Sequence, residues 1–266
     1  LTEKRRNTVL YLMERHGYIT NDERKMAASI PVEDLLTSRA SVVKYQDFID
    51  TVVEEVIKKT GKNPYSTPMI VYTTMDAKRQ DYINSIMNGE IWKWENDLVN
   101  AGIAVTSIKD GSIVAIGAGR NRVGQRQFNN ATMIKRQIGS TSKPIYDYGP
   151  GIEYLNWSTY QLFADEPHSY TNGPEVKNWD SKFSGLMTMR TALVQSRNIP
   201  ALKAFQSVDN SKIVEFAKNL GLSPELSGGR AHEAHSLGGY NGESPLTTAA
   251  AYGAFARGGI YIEPHS

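Results

Sequence analysis

One short stretch carries the residue types that nucleophilic catalysis needs: Gly139-Ser140-Thr141-Ser142-Lys143-Pro144. If a helix opens here, Ser140 and Lys143 share one face and the amine can reach the hydroxyl. Lysine can take the serine proton only when neutral. Since its ordinary pKa is about 10.4, the site must lower it by roughly three units through burial or nearby positive potential. The amino end of a helix supplies such potential and offers free N–H groups to a developing oxyanion. Pro144 suits that placement, because its missing N–H is harmless only in a first turn. Alone, Ser-x-x-Lys is a weak signal, and Ser41-Val42-Val43-Lys44 matches it equally well. The stretch at 140 is singled out by Ser196-Arg197-Asn198 further along, the one Ser-x-Asn in the chain. Read by itself, that tripeptide is a helix ending in a polar turn before Pro200.

Other chemistries are poorly supplied. The five histidines, at 16, 168, 232, 235 and 265, form no metal-binding pattern, and no metal or cofactor is implied. Gly117-Ala118-Gly119 and Gly228-Gly229 lack the Lys-Ser/Thr of a phosphate loop and the acidic residue of a dinucleotide site. The absence of cysteine removes disulfides, thiolate metal sites and cysteine nucleophiles together. With 30 basic and 28 acidic residues the net charge is +2, which argues against nucleic acid as a partner. At 266 residues and 40% hydrophobic content the chain can bury a sizeable core, and it has no run of eighteen apolar residues.

The elements that must position these residues follow from periodicity and punctuation. Residues 4–16 predict a helix stopped at Gly17, and Thr20 with Glu23 predicts a capping box opening a second helix to about Ile30. Residues 43–59 read as an amphipathic helix stopped at Gly61, Met69 to Thr74 as a strand, and 77–87 as a helix capped by Asp76. Residues 101–108 and 112–117 read as two strands joined by an Asp-Gly turn. From about 141 to 255 the pattern is mostly helical, interrupted by a polar aromatic loop at 156–182.

Taken in order, these residues resemble a class A (bifunctional) penicillin-binding protein. Arg5 to Ile19 is similar to the last helices of that family's glycosyltransferase domain, and Val71 to Asp76 to its interdomain linker. Residues 128–144 resemble the approach to the nucleophile, Gly185 to Pro200 the second motif, and Ser244 to Gly259 a helix in the first half of the transpeptidase domain. The resemblance implies an α/β (α+β) fold of the transpeptidase and serine β-lactamase kind. It implies three regions: 1–38 ending a glycosyltransferase domain, 39–98 a linker, and 99–266 the amino-terminal part of the transpeptidase domain.

It further implies that Ser140 attacks the carbonyl between the last two D-alanines of a peptidoglycan stem peptide and that β-lactams are trapped at the same serine. Lys143 would be the base, Ser196 a proton relay to the leaving D-alanine, and Asn198 a holder of the substrate amide. The family's third motif, Lys-Thr-Gly, has a match at Lys59-Thr60-Gly61, but that match ends an amphipathic helix and precedes the serine. The counterpart is expected beyond Ser266, and the glycosyltransferase carboxylates before Leu1, so both ends read as cut. A second fragment carrying the Lys-Thr-Gly strand would complete the sheet, and the whole protein would sit on the outer face of the bacterial cytoplasmic membrane by an anchor outside this chain. The competing expectations are a D,D-carboxypeptidase or serine β-lactamase with the same chemistry, and a non-catalytic peptidoglycan-binding module using Tyr154, Trp157, Tyr160, Tyr170 and Trp179.

Overall fold

The computed structural model describes residues 2–32, 43–122 and 124–266, which fall into two compact units, Leu1–Lys44 and Tyr45–Ser266. In the first unit, α1 (Thr2–Arg15) and α2 (Asn21–Ser29) form the expected hairpin. Gly17 and Tyr18 bond back to Glu14 O and Met13 O, so the glycine stop uses up the last carbonyls of α1. Thr20 and Glu23 make the reciprocal capping box, and Arg24 meets Glu14 across the hairpin at 2.6 Å. Ser41 and Val42, of the second Ser-x-x-Lys, lie outside the described residues.

The second unit opens with α3 (Gln46–Thr60), whose cap Gly61 donates to Ile57 O. Lys59-Thr60-Gly61 is therefore the end of a helix, as its context predicts. The strand expected at residues 69–74 has no paired neighbour among the described residues, and Ile70 and Tyr72 are 83% and 89% exposed. Its β-branched content favours extended backbone, but a strand needs a neighbour, and among the described residues the tie is one side chain, Thr74, donating its hydroxyl to Ile113 O.

Asp76 accepts from Arg79 N–H and opens α4 (Ala77–Met87). β1 (Ile103–Thr106) and β2 (Ile113–Gly117) pair antiparallel, with Ile103 opposite Gly117. One face of this hairpin packs on Phe48 and Val52 of α3, the other on Ile83 and Met87 of α4. Gln80, fully buried, stands in for a third strand: its Nε2 donates to Ile116 O at 2.7 Å and its Oε1 accepts from Ile116 N–H at 2.8 Å. Among the described residues the backbone of β1 bonds only to β2, so its other edge is free.

The helix expected at Ser140 opens as a 3₁₀ turn (Gly139–Ser142), widens into a π turn (Pro144–Tyr148) and continues as α5 (Gly149–Leu155). The aromatic loop is not structureless. It folds into two small hairpins, β3 (Leu162–Asp165) with β6 (Gly185–Thr188), and β4 (His168–Ser169) with β5 (Glu175–Val176). Strands of two to four residues are too short for periodicity to reveal. Helices α6 (Met189–Val194), α7 (Asn198–Ser207) and α8 (Asn210–Asn219), a 3₁₀ turn (Glu233–Leu237) and α9 (Pro245–Ala256) complete the unit. Ile145 and Tyr146 of the π turn are wholly buried among Phe205, Ile213, Ala217 and Ala251, which anchors the serine motif in the largest cluster.

Gln80→Ala leaves the N–H and C=O of Ile116 buried without partners, each costing about 1–3 kcal/mol. Denaturant unfolding of this variant is expected to show a loss of about 2–6 kcal/mol. A change no larger than that of an exposed substitution would contradict the strand-substitute role.

Candidate active site

Ser140 and Lys143 sit at i and i+3 of the 3₁₀ turn, positions that eclipse one another in this tight helix. Ser140 is exposed, and neither its hydroxyl nor its N–H has a partner among the described residues. Lys143 is fully buried. Its Nζ donates to Ser196 O at 2.7 Å and to Asn198 Oδ1 at 2.9 Å, and lies 3.1 Å from Ser196 Oγ. A neutral amine has two donors and one lone pair. The two firm acceptors use the donors, and the lone pair remains for a hydroxyl proton. Burial pushes the amine down to about 8; a charge on Asp147 would oppose that fall, and the Arg197 charge adds to it.

The partners of the amine come from a turn between two helices. Ser196 ends the α6 segment with φ +51°, a left-handed conformation rare for a residue with a side chain. Arg197 N–H bonds to Ala192 O, and Asn198 N–H to Asn178 Oδ1 at 2.8 Å. Arg197 itself is 2% exposed and turned away from the site. Its Nη2 meets Asp165 at 2.7 Å and its Nη1 meets Asp180 at 2.9 Å. Asn178 Nδ2 completes the knot by donating to Asp165 Oδ1 at 2.8 Å. The buried Asp165, at the end of β3, thus holds both flanks of the Ser196-Arg197-Asn198 turn.

The floor under the serine is equally built. Ser142 donates its hydroxyl to Ser236 O at 2.7 Å, and Tyr252 of α9 donates to Thr141 O at 2.8 Å. Gly238, with φ +75°, approaches so closely that a Cβ there would fall 2.3 Å from Gly139 N and O. His235 stacks on Tyr240, and Tyr146 meets both rings edge-on. A cleft of about 720 Å³ runs from the residues leading into β1 to this turn, lined by Gly102, Asn130, Gln137, Thr141, Ser244 and Tyr252.

The structure therefore brings Lys143, Ser196 and Asn198 into contact, and leaves Ser140 open on the same turn. The reading of the sequence missed Asp165, Asn178, Asp147 and Ser236, which support the site without matching any motif. One signal was available: Asp147 lies four residues after Lys143 in an otherwise apolar run, a position that faces inward with it. The five aromatics do not form a common platform. Trp157 packs edge-on against Phe163 and Tyr154 against Phe216, while Tyr160 and Trp179 are 77% and 73% exposed.

An exposed serine beside a buried, deprotonatable amine, itself held by a hydroxyl and an amide, is an arrangement suited to serine acyl transfer. Residues 101–266 match the penicillin-binding protein transpeptidase domain, and the chain belongs to that family. It is 43% identical to penicillin-binding protein 1A/1B of Bacillus subtilis (strain 168), over 99% of this chain and 29% of that protein. Against penicillin-binding protein 1A of Streptococcus oralis it is 35% identical, over 98% of this chain and 43% of the relative. The chain thus spans less than half the length of these relatives.

Two solved structures share the fold. The penicillin-binding protein PonA1 from Mycobacterium tuberculosis in complex with penicillin V superposes with TM-score 0.72 at 18% identity, covering 84% of this chain and 61% of that one. Penicillin-binding protein 1A from Haemophilus influenzae gives 0.69 at 21% identity, covering 99% and 53%.

Arg197→Met strips a fully buried carboxylate, Asp165, of its cation, and breaking a buried pair in this way costs about 3–5 kcal/mol. Equilibrium unfolding is expected to show that loss. A variant as stable as the parent would mean that Arg197 does not hold the turn.

Proposed function

We propose that this chain carries the acylation centre of a peptidoglycan D,D-transpeptidase that, in the whole protein, is joined to a glycosyltransferase. The observation that carries the reading is the buried amine of Lys143, held by Ser196 and Asn198 next to an unpartnered serine. Ser140 Oγ attacks the carbonyl between the two terminal D-alanines while Lys143 takes its proton. Ser196, 3.1 Å from that amine, passes a proton to the leaving D-alanine nitrogen, and an ester on Ser140 remains. The amine of a neighbouring stem peptide then displaces the serine and forms the crosslink. Asn198 gives Oδ1 to Lys143 and one Nδ2 hydrogen to Lys177 O, which leaves a second hydrogen for a substrate carbonyl. The free N–H of Ser140 serves as one oxyanion donor.

The edge of β1 that makes no backbone hydrogen bond among the described residues leaves room for further strands, and we assign the Lys-Thr-Gly strand of the rest of the molecule to the sheet they would extend. That strand would supply the second oxyanion donor and the anchor for the substrate carboxylate. β-Lactams, by this reading, acylate Ser140 and stay there. Among the described residues no helix is long and apolar enough to cross a membrane. The reaction belongs on the outer face of the bacterial cytoplasmic membrane, where stem peptides are, with the anchor supplied elsewhere in the protein. The three regions 1–38, 39–98 and 99–266 are our division of the chain among glycosyltransferase end, linker and transpeptidase.

The test is covalent labelling of the complete protein with a fluorescent penicillin. Ser140→Ala is expected to abolish the label and Ser41→Ala to keep it, with the labelled peptide containing residue 140 by mass spectrometry. Label retained in Ser140→Ala would overturn the assignment. A second outcome concerns pH. An amine base lowered to about 8 is protonated below that value and free above it, so acylation is expected to rise from pH 6 to 9 with a midpoint near 8. A rate falling over that interval would rule out Lys143 as the base.

A further inference from the structure

Behind Lys143 lies a titratable group that the proposed reaction does not use. Asp147, in the π turn, is fully buried, and neither carboxyl oxygen has a hydrogen-bonded partner among the described residues. Ser236 Oγ, also fully buried, is without a partner as well, as are Tyr148 OH and His235 Nε2. Orphaned polar atoms are rare in interiors, and a buried carboxyl without a partner, four residues after Lys143, calls for a physical account.

Two states of the carboxyl can be weighed. As a carboxylate it would need a cation or several donors, because an unpaired buried charge is very costly. No ion pair reaches it among the described residues: the amine of Lys143 is turned to Ser196 and Asn198, and Arg197 is consumed by Asp165 and Asp180. The other titratable groups that act on it are Tyr148 on its own turn and Tyr170 from the β4–β5 hairpin. Neither phenol can be a cation, so neither could pair with a carboxylate. As a neutral acid, by contrast, Asp147 gains a donor, and the unpartnered Ser236 hydroxyl is the acceptor nearest at hand. Burial pushes the carboxyl well above the usual carboxylate range, against the pulls of Ser236 and Lys143.

We propose that Asp147 is a positioning residue for Lys143: it lies behind the amine as an uncharged carboxylic acid donating to the Ser236 hydroxyl, and so denies the amine a counter-ion that would keep it an ammonium. The proton stays on Asp147 throughout. The bond to Ser236 also ties the π turn to the segment whose carbonyl receives Ser142, so the acid and the serine turn share one support. This inference rests on the reading of Lys143 as the base.

The test uses the complete protein. Infrared difference spectra between wild type and Asp147→Asn at pH 7 are expected to show a protonated-carboxyl C=O band present only in the wild type. Acylation by a fluorescent penicillin is expected to slow about tenfold in Asp147→Ala, which loses the donor and the volume, as for one lost hydrogen bond to a buried partner. Asp147→Asn, neutral and of the same shape, is expected to recover most of that loss with the pH midpoint of the wild type. Absence of the infrared band, or a midpoint moved down by a pH unit or more in Asp147→Asn, would overturn the proposal, because either result means that the wild-type carboxyl is charged and acts as the counter-ion. The two readings fail separately: label surviving in Ser140→Ala sinks the assignment of the nucleophile, whereas the infrared band reports on Asp147 whatever the serine does.

Discussion

A lysine amine cut off from water is the constraint around which the second unit is arranged. Taking Nζ of Lys143 out of solvent is unfavourable unless its hydrogens find acceptors, and those it bonds lie outside its own run, at Ser196 and Asn198. The acceptors must come from elsewhere in the chain, and they must be neutral if the amine is to give up a proton near neutrality. A backbone carbonyl and a side-chain amide meet both demands. The Ser196-Arg197-Asn198 turn is thus tied to Lys143 by the same contacts that set the proton affinity of the amine.

Holding that turn in place accounts for much of the surrounding structure. Ser196 adopts a left-handed conformation that an isolated chain would avoid, at a cost of order 1–3 kcal/mol. The conformation is over-determined by backbone bonds from α6 and by Arg197, whose guanidinium is fastened to Asp165 and Asp180. The charge of the site's neighbourhood is therefore handled twice. Arg197 spends its charge on two carboxylates away from the amine, yet remains near enough to disfavour an ammonium at Lys143. On the other side, the close approach of Gly238 to Gly139 and the Ser142 to Ser236 bond fix the height of the serine turn without covering Ser140.

The sequence was informative where a residue's role is local. The caps at Gly17, Thr20, Gly61 and Asp76 and the β1–β2 hairpin follow from spacing and residue type, whereas the joint roles of residues 143, 196 and 198 were implied by the family resemblance. What spacing could not convey was partnership. Residues 69–74 have the composition of a strand but no neighbour, while β3 to β6 have neighbours but are too short to show a period. Gln80 reads as one polar residue in a helix, and only the fold reveals that it closes the edge of β2. Asp147, Asp165 and Asn178 are similar cases, since their function lies in contacts with segments distant in the chain. Even the serine motif itself is a 3₁₀ turn followed by a π turn, a distinction that side-chain spacing of three does not resolve.

These contacts also divide the proposed reaction between two parts of the fold. Among the described residues, the hydrogen-bond partners of the Lys143 amine come from the α6–α7 connection, and none comes from β1 or β2. The base is therefore assembled by helix packing and a buried ion-pair knot, independently of the sheet. By the proposed reading, the recognition of a substrate's carboxylate and the second oxyanion donor come from outside this assembly, since Ser140 is exposed and its hydroxyl has no partner among the described residues. Proton transfer and substrate binding are in this way carried by structures that share only the serine turn. A deformation of the sheet edge would alter where the substrate carbonyl lies while leaving the proton affinity of Lys143 as the helices set it.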